Sequence, residues 1–69
     1  MSKYSVIIKA NESKFLKYSH IDNLYLLSNW LDRHYPNWLY MNVYSNKTRA
    51  KIKSFTKYSK PYKNIVINE

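Results

Sequence analysis

Trp38, Tyr40 and Tyr44 share one parity along a short stretch of this chain, and Arg49, Lys51 and Lys53 share one along the next. Flat π-faces suit stacking on bases, and cations at the same period suit neutralising phosphates. Set side by side, the two rows make a surface for a polyanion that carries bases. Lys57, Lys60 and Lys63 continue the theme, interleaved with Tyr58 and Tyr62. No acidic residue occurs between positions 33 and 68, whereas Lys3, Lys9, Lys14 and Lys17 are nearly balanced by Glu12, Asp22 and Asp32. The net charge of +8 therefore belongs to the second half of the chain.

Codon usage is the competing explanation. Abundant Lys, Asn, Tyr and Ile fit an AT-rich gene, which accounts for Lys in preference to Arg. Asp and Glu codons are equally compatible with AT-richness, so the scarcity of anions is left over. Size and composition together suggest a small accessory protein of an AT-rich microbe or of its virus.

Other chemistries find few residues. Cysteine is absent, which removes disulfides and thiolate metal sites, and two histidines do not make a usual zinc site without carboxylates. Glycine is absent too, which removes Gly-rich phosphate loops and dinucleotide fingerprints, so no cofactor is expected. A carboxylate pair for acid–base work would have to come from Glu12, Asp22, Asp32 and Glu69, and capping or surface charge explains the helical ones more simply. His34 falls at a helix C-terminus, a favourable place for a partly charged imidazole, with no nucleophile beside it. No enzyme is expected.

The elements that must position these residues follow from periodicity. Residues 3–9 alternate as a strand, with Tyr4, Val6 and Ile8 on one face and Ser5, Ile7 and Lys9 on the other. Asn11, Glu12 and Ser13 offer a turn, and residues 14–18 read either as a loop or as a short strand pairing back. Ser19 and Asp22 form a capping box for a helix carrying Ile21, Leu24, Leu27 and Leu31, which Pro36 should stop at about His34. From Trp38 the period becomes two. With Asn46 and Lys47 as a two-residue loop, Val43 faces Ala50 and Met41 faces Ile52 on an apolar side. The other side then pairs Tyr44 with Arg49, Asn42 with Lys51, Tyr40 with Lys53 and Trp38 with Phe55. The helix is expected on Leu39, Met41, Val43 and Ile52. Pro61 breaks the chain, and residues 64–68 read as a last strand.

The expected fold is a single α+β domain over residues 1–69, a small antiparallel sheet of about four strands with one helix on one face, in β-α-β-β-β order. One helix covers one face only, so the other stays open or meets a partner, a second copy of the chain included. The helix-then-strands order is loosely similar to that of small bacterial endoribonuclease toxins, which cleave RNA with Lys, Arg, Tyr and His groups. The likeness is one of element order, and no motif carries residues over.

The leading expectation is a non-enzymatic nucleic-acid-binding protein in which Arg49, Lys51, Lys53, Lys57 and Lys60 contact phosphates while Trp38, Tyr40 and Tyr44 stack. Its target would be single-stranded DNA or RNA, or a DNA groove entered by the hairpin. The alternative is a viral or mobile-element accessory protein whose basic aromatic surface inhibits a host protein through an acidic patch. No stretch reads as a signal peptide or a bilayer span, so a cytoplasmic location and no membrane partner are expected.

Overall fold

A computed structural model describes residues 3–63 of the chain. It holds two antiparallel hairpins flanking one helix: β1 (Tyr4–Asn11), β2 (Lys14–Ile21), α1 (Leu24–His34), β3 (Tyr40–Ser45) and β4 (Lys51–Thr56). The strands form one sheet in the order β2-β1-β3-β4. The α+β architecture of four antiparallel strands and one helix is thus the one that periodicity implies. The segment left open between loop and strand is the full strand β2, and the strand expected over residues 64–68 lies outside the described residues.

The first hairpin turns at Glu12 and Ser13, where Asn11 Oδ1 accepts from the Ser13 N–H at 2.9 Å. A short polar side chain here stands in for glycine. β2 runs further than expected. Ser19 lies within the strand rather than at a helix start, Ile21 pairs with Tyr4, and Asp22 Oδ1 accepts from the Lys3 N–H at 3.0 Å. The N-cap is Asn23, extended at φ −127°, with its Oδ1 accepting from the Leu26 N–H at 3.0 Å. Strand pairing and the packing of Tyr18 edge-on against Trp30 hold residues 18–21 in the sheet, and Asn23 is the next side chain able to satisfy a helical N–H. At the other end the helix stops at His34, before Tyr35 and Pro36, with Arg33 and His34 beside its negative pole.

Tyr4, Val6 and Ile8 of β1, Met41 and Val43 of β3, and Phe55 of β4 form the buried face of the sheet, with Leu24 and Leu31 of the helix in the same cluster. Leu39, expected there, precedes β3 and is 42% exposed. Trp38 sits inside this core at 1% exposed.

The β3–β4 hairpin has a different register from the expected one. Met41 faces Phe55, Asn42 faces Ser54 and Tyr40 faces Thr56. The turn spans residues 46–50 instead of two residues. Ser45 Oγ accepts from the N–H groups of Lys47 (3.1 Å) and Thr48 (3.2 Å), and the Ser45 carbonyl accepts from Arg49 N–H at 2.7 Å. The physical reason is the size of Phe55. The expected register would leave its ring on the outer face and use Ala50 in the core. The observed one buries Phe55 against Met41, a gain of about 1.5–3 kcal/mol for a large apolar side chain. That gain offsets Arg49's left-handed backbone at φ 64°, which costs about 1–2 kcal/mol.

The shift by an odd number of residues turns Phe55 and Lys53 to the helix side. A bulge between the Val43–Lys53 and Tyr44–Lys51 pairs then reverses parity. Ile52 packs against the core, and Lys51 returns to the outer face opposite Tyr44.

Candidate nucleic-acid interface

Among the described residues nothing covers the face of the sheet away from the helix, and the strand registers arrange it in rows. Phe15, Lys9, Tyr40 and Thr56 lie side by side across β2, β1, β3 and β4. The next row is Lys17, Ile7, Asn42 and Ser54, and the third is Ser5, Tyr44 and Lys51. Rows two residues apart along a strand are about 6.6 Å apart, so Tyr40 and Tyr44 stand about 13 Å from each other on one face. None of these residues is acidic.

Rings and cations alternate across this face. Phe15 is 56% exposed, and Lys9 Nζ lies over its ring at 5.6 Å from the centroid. Tyr40 and Tyr44 are half-buried, and Lys51 is exposed opposite Tyr44. Between the aromatic rows, Ser54 Oγ donates to Asn42 Oδ1 at 2.8 Å, which fixes the amide in the middle of the platform.

At the end of this face where β1 begins and β2 and β3 end, a concavity of about 540 Å³ opens among Lys17, His20, Tyr44, Arg49 and their neighbours. Asn46 builds its wall. The Asn46 amide Nδ2 donates to the Ser19 carbonyl at 3.0 Å, its Oδ1 accepts from Ser5 Oγ, and its N–H donates to the Lys3 carbonyl at 3.0 Å. One side chain therefore ties the β3–β4 turn to both strands of the first hairpin. A bulge in β2 opposite Ser5 re-aims the strand here, and both Ser19 and His20 line the concavity.

Of the expected site residues, Tyr40, Tyr44, Lys51 and Arg49 come together on this side. The other four do not. Trp38 offers no face for stacking, because its ring is enclosed in the core and its Nε1 donates to Asp32 Oδ1 at 3.0 Å. Lys53 is turned to the helix side, with Nζ 5.9 Å from the Phe55 ring centroid. Lys60 Nζ is 2.7 Å from Asp32 Oδ2, and Lys57 Nζ donates to the Pro36 carbonyl. These two contacts, with buried Pro61, fasten the tail to the helix side. The hydrogen bonds from Lys60 and then Trp38 hold the Asp32 carboxyl below its usual range.

The charge imbalance directs attention to the other half of the chain and away from Phe15, Lys9 and Lys17. The signal was nevertheless present. Lys9 has the outward parity of β1, and a hairpin closing at residues 12 and 13 sets Phe15 and Lys17 on that same face.

Among the described residues no group of three His, Asp or Glu side chains could hold a metal ion, and no helix is long and apolar enough to cross a membrane. No protein family matches this chain, and neither a characterised protein nor a solved structure matches it.

Proposed function

We propose that this protein is a non-enzymatic nucleic-acid-binding module that holds a single strand on the open face of its sheet. Tyr40, Tyr44 and Phe15 stack on bases, and Lys9, Lys17, Lys51 and Arg49 neutralise phosphates. The observation that carries the reading is the convergence of these rings and cations, from all four strands and the β3–β4 turn, on a face where the described residues place neither a covering element nor a carboxylate. Stacking contributes roughly 1–3 kcal/mol per base and requires bases that are not already paired. Insertion of the hairpin into a DNA groove has less support. β3 lies between β1 and β4, so β3 and β4 do not stand free as a ribbon.

The test is salt-dependent binding of a labelled single-stranded oligonucleotide. Neutralising three or four phosphates predicts about a 20- to 50-fold loss of affinity between about 50 and 200 mM salt. An affinity that stays flat over that range would overturn the reading.

A second reading is favoured by the tail, where Tyr58 is 95% exposed and Tyr62 and Lys63 are also exposed. Aromatics and cations of this kind fit docking on an acidic protein surface. A stoichiometric protein partner retained from nuclease-treated lysate, and lost when Tyr58 and Tyr62 are replaced by Ser, supports that reading instead.

A further inference from the structure

We propose that the concavity beside Tyr44 is a site for a terminal phosphomonoester on a nucleoside, at the end of a strand or on a free mononucleotide. This rests on the single-strand reading for the stacking at Tyr44, and it adds which part of a strand the protein selects.

The first argument is place. The rows of the open face run from Tyr40 towards Tyr44, and Asn46 and Arg49 of the turn that follows β3 line the concavity together with Tyr44. A strand laid along Tyr40 and Tyr44 leads into this concavity, which has room to receive a chain end. The second is size. About 540 Å³, partly open to solvent, is more room than a single phosphate requires.

The third argument is charge. Lys17 and Arg49 reach the concavity from different elements, and none of its lining residues is acidic. A phosphodiester in mid-strand carries a single negative charge, whereas a phosphomonoester carries about −1.5 to −2 at neutral pH and three acceptor oxygens. Two cations match the second better than the first. Arginine also offers a fork of donors that suits a terminal phosphate.

The fourth is the backbone. Arg49 is the one non-glycine residue with positive φ among the described residues, at 64°. Asn would occupy that conformation at lower cost, yet the position holds the long cation that lines the pocket. Asn46, bonded to Ser5, Ser19 and Lys3, fixes the turn that carries it. The site is therefore assembled before any ligand arrives.

The experiment compares the affinity of the full chain for one pentanucleotide in three forms: 5′-phosphorylated, 3′-phosphorylated and hydroxyl at both ends. The matching mononucleotide is the fourth arm. One phosphorylated form should bind about tenfold or more tightly than the hydroxyl form. Arg49→Asn, which keeps the left-handed turn, and Lys17→Gln should each bring that ratio towards one. Equal affinity for all three strands, with binding that still weakens in salt, overturns the terminal site and leaves the platform standing. Should no strand bind, the platform fails, and the mononucleotide decides the site. Saturable binding that Arg49→Asn abolishes supports it, and no binding overturns it.

Discussion

Trp38 Nε1 and Asp32 Oδ1 are 3.0 Å apart, and the other oxygen of the same carboxylate is 2.7 Å from Lys60 Nζ. A single carboxylate thus satisfies a buried indole and fastens a tail cation. Trp38 and Lys60, both expected at the interface, are thereby committed to the fold.

This arrangement predicts a split between two substitutions. Asp32→Asn keeps an acceptor for the indole and loses a partly exposed ion pair, worth about 0–1 kcal/mol. Asp32→Ala leaves the buried Trp38 N–H without an acceptor and should cost about 1–3 kcal/mol. Chemical denaturation of both variants checks this, and equal losses would mean that the indole hydrogen bond contributes nothing.

The same carboxylate makes one contribution to stability that depends on pH. Hydrogen bonds from Lys60 and Trp38 depress its folded pKa below the unfolded value. The unfolded state therefore binds the proton more tightly, and Asp32 adds stability above about pH 4 that is lost as pH falls through the lower folded pKa. Asp32→Asn should be the less stable protein at neutral pH and should show a shallower decline on acidification. Parallel acid limbs for the two proteins would contradict this.

The hairpin register makes Lys51 and Lys53 unequal. Lys51 faces Tyr44 on the open side, whereas Lys53 lies over Phe55 on the other. Lys51→Gln should weaken single-strand binding and lower the slope of log affinity against log salt by about 0.7. Lys53→Gln should leave both within about twofold, because its charge lies away from the platform. Equal effects would restore the register in which the two lysines share a face.

That register is also where the sequence was hardest to read. Alternation alone identified β1 and β3 and sorted their residues into two faces, with Met41 and Val43 correctly on the buried one, and Pro36 located the end of the helix. Loop length is a different matter. A chain without glycine gives no marker for its left-handed residue, and the arginine in that role looks like any other cation. Assuming a two-residue turn shifted β4 by an odd number, which exchanged the faces of Lys53 and Phe55. Trp38 was misplaced for a related reason. Its parity matches Tyr40 only if the strand begins at Trp38, and β3 begins at Tyr40. The contribution of the first hairpin was legible in parity but hidden behind the more conspicuous charge of the second half.

Arg49 should be a compromise between fold and binding. Arg49→Gly removes the cost of a side chain at positive φ and should raise stability by about 1 kcal/mol. It also removes a phosphate contact and should weaken single-strand binding. Thermal melts and binding isotherms of the same preparation read both effects. A variant that is destabilised, or that binds as well as the parent, would show that Arg49 is not held there for its charge.

The most direct measurement of the central claim is an amide chemical-shift map of the labelled protein titrated with a short single-stranded oligonucleotide. Shifts should gather on the open-face residues Lys9, Phe15, Lys17, Tyr40, Tyr44, Arg49 and Lys51, and should spare the helix face around Leu31 and the tail around Lys60. Shifts centred on Lys57, Tyr58 and Lys60, with the open face unchanged, would contradict the account.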